Sequence, residues 1–166
     1  MGHYLFGWRG RISRAPFCFF AAAAFFLLLV LFSALYFYQV MAGGFETGEP
    51  APWPSTPQGI AGVAFWILSL FSITVSALAV TVKRLHDRNK SAWWLIVFVV
   101  APNALSSFGE FLRDRYPVEF GAIAPVPDIL AIALLLWAFV ELACLAGSTG
   151  PNRFGEDPLN RQVLIR

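Results

Sequence analysis

Between Val82 and Trp94 the chain reads VKRLHDRNKSAWW, crowding Lys83, Arg84, His86, Asp87, Arg88 and Lys90 between two long apolar runs. A histidine beside an aspartate is the raw material of general acid–base chemistry, because histidine titrates near neutral pH. The spacing argues against that use. Neighbours on a helix point about 100° apart, so Asp87 does not orient His86, and no serine or cysteine stands at a recognisable nucleophile spacing. Arg84 and Arg88 lie one turn apart, Lys83 and Asp87 are spaced as an i,i+4 pair, and Ser91 suits the N-cap of a following helix. The stretch therefore reads as a folded joint, with an anion-binding loop as the alternative.

Two other polar stretches flank the apolar part of the chain. GWRGRISRAPF brings Arg11 and Arg14 before the first apolar run, and GSTGPNRFGEDP brings Asn152 and Arg153 after the last. The second is glycine-rich but lacks the GxxxxGK[ST] order and a following helix, so it is no phosphate loop. Pro151, Asn152 and Gly155 are turn formers, which predicts a folded-back cap from which Arg153 meets Asp87 or a lipid phosphate. Arg11, Arg14, Arg84, His86, Asp87, Asn152 and Arg153 are thus the candidate polar cluster.

Glu141 is the one acid well inside an apolar run. A bare carboxylate costs on the order of 2.5 to 3.5 kcal/mol at a membrane helix centre, so it is expected to face the interior and pair with Arg14, Arg11 or Arg84. Asp87 is expected to take an arginine from the N-terminal or tail motif at a partly buried site. Cys18 and Cys144 show neither CxxC nor metal-ligand spacing and read as packing residues. No metal and no cofactor is expected.

The elements that must position these groups follow from composition. With 58% apolar and 13% charged residues, and a mean hydropathy of +0.65, the chain is an integral membrane protein. A spanning helix needs about 20 apolar residues, and four runs, at about 15–38, 60–82, 92–108 and 129–147, supply them. They leave a loop at 83–91 and a tail at 148–166 in a single membrane domain. Pro102 is expected to bend the third run, which is the shortest. Continuous rather than alternating apolar character excludes a barrel, and the first run is too long for a signal-peptide core. Ser69, Ser72, Ser76 and Ala79 share one face of the second helix and predict a close packing seam. Trp137 reads as a packing residue, and Trp8, Trp93 and Trp94 as interfacial anchors.

Ten of the twelve lysines and arginines lie in the N-terminal segment, the central loop and the tail. By the positive-inside rule both termini are cytoplasmic. Arg113 and Arg115 fall in the third loop, whose Phe111, Leu112, Tyr116 and Phe120 suggest a segment lying on the outer interface. The net charge of +2 follows from topology and gives no nucleic-acid signal.

GRISR, RLHDRNKSAWW and GPNRFGEDP, in that order, resemble the three motifs of a family of small bacterial inner-membrane proteins called domain of unknown function 805, over about Phe6 to Pro158. Ala92 departs from the family's usual glycine, and Lys83 from its frequent arginine. If Ser91 caps the third helix, position 92 has ordinary helical angles and needs no glycine. The resemblance implies a multi-pass inner-membrane protein and no reaction. The expectation is an all-α, four-helix, N-in/C-in bundle with a non-enzymatic structural, interaction or anionic-headgroup-binding role. Its partners would be the lipid bilayer, a second copy or another membrane protein. The alternative is a small oligomeric proton-coupled transporter using Glu141.

Overall fold

The computed structural model describes residues 5–41, 57–116, 123 and 125–159. Helix α1 covers Arg14–Met41 and α2 covers Pro57–Asp87. A π-helical turn, Ile96–Val100, leads directly into α3, Ala101–Arg115. Helix α4, Val126–Phe139, leads directly into a second π turn, Val140–Cys144. No strand occurs among the described residues, and four helical stretches are long and apolar enough to cross a membrane. At about 1.5 Å per residue, the 28 residues of α1 extend about 42 Å, beyond the roughly 30 Å of hydrocarbon.

Three boundaries differ from expectation by more than three residues. Helix α2 does not stop at Val82 but carries the polar motif on its last turn as far as Asp87, because Arg84 and Asp87 are buried against protein there. Asn89 then ends it. Asn89 adopts φ 57°, its N–H bonds His86 O at 3.0 Å, and the Lys90 N–H bonds Leu85 O at 2.8 Å, the two bonds of a Schellman motif with asparagine in the left-handed position.

The third span is displaced towards the C-terminus. It runs Ile96–Arg115, so Phe111 and Leu112 belong to its final turns rather than to a segment lying flat on the interface. Arg113 donates to Asp128 Oδ2 at the start of α4, which holds these charges at the helix ends. Ser91 caps nothing with its side chain. Its carbonyl accepts from Trp94 N at 3.2 Å, and Ala92 lies in that turn without a positive φ.

Pro102 sits where the π turn gives way to α3. Proline has no N–H to donate and its ring crowds the carbonyl four residues back. A widened turn before it, closed by Ala101 N to Ile96 O, is a local adjustment that removes the conflict. Asn103 Nδ2 donates to Val99 O at 2.7 Å and satisfies a neighbouring carbonyl.

The helices form two pairs, α1 with α2 and α3 with α4, and the pairs join mainly at one end, where the π turn after α4 meets α1 and α2. Trp66 ties the first pair together: its Nε1 donates to Leu31 O at 3.3 Å and its ring meets Phe32 edge to face. The seam serines divide. Ser69 and Ser72 return their hydroxyls to their own helix, whereas Ser76 donates to Leu5 O in the N-terminal segment.

Buried apolar residues gather near the joined end, in one cluster around Ile12, Phe17 and Val80 and another around Leu85, Phe98 and Ala138, with Leu142 packed against both. Along the spans Phe25, Phe26, Phe65, Phe71 and Leu136 lie exposed. That apolar surface suits hydrocarbon as its solvent.

Candidate functional site

The three polar motifs converge at the joined end, built by the segment before α1, the last turn of α2 and the chain after α4. Asp87 is its centre, and is 2% exposed. Arg11 Nε and Nη2 lie 3.1 and 3.0 Å from its Oδ1, and Arg84 Nη1 lies 2.6 Å from its Oδ2. One carboxylate thus joins the N-terminal and central motifs.

Two guanidiniums on one carboxylate leave an excess positive charge, and the remaining donors show where it is balanced. Arg84 donates through Nε to Leu142 O at 2.7 Å and through Nη2 to Leu145 O. Arg11 Nη1 donates to Gly150 O at 2.7 Å and its Nη2 to Ser148 O. Arg14 Nη1 donates to Cys144 O at 3.0 Å, and Arg88 Nη1 to Ala146 O. The last carbonyls of a helix have no intrahelical partner and carry the negative end of its dipole. Arg84 and Arg14 therefore cap the end of the fourth span, and Arg88 and Arg11 hold the chain that follows it.

Glu141 pairs with cations that differ from those expected. Its Oε1 receives Arg88 Nε and Lys90 Nζ, each at 3.0 Å. Arg11 and Arg84 are held on Asp87, and Arg14 on a carbonyl. Two turns decide the outcome: the Schellman turn at Asn89 brings Lys90 back over the end of α2, and the π turn Val140–Cys144 carries buried Glu141.

The tail closes the joint from below. Ser148 donates through both N and Oγ to Asp87 O, at 2.8 and 3.0 Å, and Asn152 Nδ2 donates to His86 O at 2.9 Å. The tail thereby caps α2, as the arginines cap the fourth span. Gly147 must be glycine for space: a Cβ there would lie 2.0 Å from Asp87 Oδ2. Arg153 does not reach Asp87; it stays exposed, donates to Asn89 O at 3.0 Å and rests on the Phe154 ring. Asp157 accepts from Leu159 N and Gly150 N, and those bonds hold its carboxyl below the usual range.

His86 lies stacked on Phe154, ring centroids 3.9 Å apart and planes 5° from parallel, with Nδ1 facing Gly10 O at 3.2 Å. Its partners are a ring and a carbonyl, so no base-and-orienter pair forms with Asp87. Cys18 packs beside the Ile12 cluster with Sγ 3.9 Å from Ala143 O, while Cys144 is exposed, and both are free thiols. Among the described residues no group of three or more His, Cys, Asp or Glu converges to hold a metal. Nor does any buried side-chain polar atom lack a partner among them.

The candidate cluster read from the sequence leaves out Arg88 and Lys90, which figure there only as basic residues of the central loop, and also Ser148, Phe154 and Asp157. A signal existed for Lys90, since asparagine just past a helix end marks the left-handed position that turns the next residue back. Nothing in the spacing identifies backbone carbonyls as the arginines' main acceptors.

The sequence profile described as "Protein of unknown function (DUF805)" matches residues 5–156. The protein called "Uncharacterized protein YiiR" in Escherichia coli strain K12 is 29% identical over 154 residues, which is 93% of this chain and 87% of that protein. The protein of the same name in Escherichia coli O157:H7 matches to the same extent. No solved structure matches.

Proposed function

The chain belongs to the DUF805 family, and we propose that it is a non-enzymatic structural or interaction protein of the bacterial inner membrane whose motif end is a rigid cytoplasmic joint. One observation carries this reading. The donors of Arg11, Arg84 and Arg88 are engaged by Asp87, Glu141 and carbonyls of the chain itself. Groups so engaged hold segments together and leave little capacity for a phosphate or a substrate. Binding of anionic headgroups falls instead to the rim, where Arg9 and Trp8 are exposed. The transporter alternative is disfavoured by the two cations on Glu141, because a proton-coupled acid must shed its partners in each cycle.

The test combines topology with flux. Single cysteines at Asn89 and Asn160 in a cysteine-free chain are expected to resist a membrane-impermeant maleimide added to intact cells, and labelling of Asn89 from outside would overturn the orientation. Proteoliposomes holding the wild type and Glu141→Gln should show equal proton leak. Proton-linked flux lost in a folded Glu141→Gln chain would replace the scaffold reading with the transporter.

A further inference from the structure

Lys90 sits in an aromatic cage that the joint does not need. Its Nζ lies 3.0 Å from Glu141 Oε1 and 4.0 Å from the Trp94 ring centroid, with Trp137 at 5.6 Å and Phe98 at 5.9 Å. The rings brace one another. Trp137 stands nearly perpendicular to both Trp94 and Phe98, with centroids 5.6 and 5.3 Å away, and Trp94 tilts against Phe98 at 5.5 Å. Several aromatic faces within about 6 Å of a cation are how proteins recognise ammonium groups, including quaternary ones. A carboxylate at the same point adds charge selectivity and rejects anions.

Lys90 is a replaceable occupant. Its side chain is 22% exposed and stands on a flexible four-carbon stem beyond the end of α2. Glu141 does not depend on it alone, because Arg88 Nε holds the same oxygen at 3.0 Å. Exchanging one ammonium for another keeps the number of cations on the carboxylate, so the desolvation cost of an unpaired buried acid never arises. Trp137, 43% exposed on an apolar spanning helix, forms the outer wall, where the tail of an amphiphile has hydrocarbon to lie in.

We propose that Glu141, Trp94, Phe98 and Trp137 form a binding site for an organic ammonium group, with Lys90 as its tethered resident. The ligand class is the primary or quaternary ammonium of an amphiphile or of a small soluble amine. The site goes beyond the scaffold reading, since it uses the cage and leaves the Asp87 joint untouched.

The test uses the full chain in dodecyl maltoside micelles, which carry no ammonium group, with dodecyltrimethylammonium as the probe. Lys83 and Lys90 are the only lysines, so a Lys83→Arg chain reductively methylated with labelled formaldehyde gives one dimethyl-lysine signal, which ring currents displace when Lys90 is in the cage. Saturating probe is expected to return that signal to the position of an exposed lysine. Lys90→Gln, which removes the resident, should bind the probe at least about tenfold more tightly than wild type. Adding Trp137→Leu to Lys90→Gln keeps the charge and should abolish the gain. A signal that stays put at saturation overturns the proposal whether or not the variants fold, and so does a double variant that binds as well as Lys90→Gln, which would mean charge alone. Tetramethylammonium competing as well as the tailed probe identifies a soluble amine. Competition by tailed cations only identifies an amphiphile in the bilayer.

Discussion

Replacing Asp87 by asparagine keeps the shape of the side chain and removes the charge that two arginines share. Neither arginine can escape to water: the side chains of Arg11 and Arg84 are 1% and 0% exposed, and that of Asp87 is 3%. Solvent therefore gives little screening, and the loss belongs with buried pairs from which one partner is removed, about 3 to 5 kcal/mol. At roughly 2 to 4 °C per kcal/mol for a chain of this size, Tm should fall by about 6 to 20 °C, read as loss of helical circular dichroism in micelles. The penalty comes from stranded guanidinium charge and not from a missing contact alone. Removing one stranded cation as well, in Arg11→Met with Asp87→Asn, should therefore cost less than the sum of the two single changes, by about 0.5 to 3 kcal/mol of coupling. An Asp87→Asn chain that melts within 2 °C of wild type (about 1 kcal/mol), or strict additivity in the pair, would refute the idea that this carboxylate holds the joint.

Gly147→Ala should lower stability by about 1 to 3 kcal/mol, because its Cβ would lie 2.0 Å from Asp87 Oδ2 and either the tail or the carboxylate must move; thermal melts alongside Asp87→Asn check it. Asp157 should make the tail turn acid-sensitive. Its folded-state pKa is depressed below the ordinary 3.8 by the Leu159 and Gly150 amides, so its contribution is complete above that value and disappears as pH falls through the lower folded value. Amide exchange at Gly150 and Leu159 should accelerate in Asp157→Ala at neutral pH, with wild type matching it only under strong acid.

Four spans and a shared polar end were legible in the sequence because hydrocarbon imposes a one-dimensional rule: about 20 apolar residues per crossing, with charges kept out between them. That rule is read along the chain and needs no knowledge of neighbours. The convergence of GRISR, RLHD and GPNRFGEDP follows almost as directly, since an even number of crossings returns their flanks to one side. The pairing within that end was not legible. Arg14, Arg11 and Arg84 were as reasonable for Glu141 as Arg88 and Lys90, because each could reach the same depth. The decision lay in a left-handed Asn89, a π turn that carries Glu141, and six carbonyls from Leu142 to Gly150 that accept from four arginines. Backbone acceptors have no letter in a sequence. Only the tertiary structure, by bringing the end of the fourth span and the chain after it against the N-terminal and central motifs, determined which arginine caps a helix and which meets an acid.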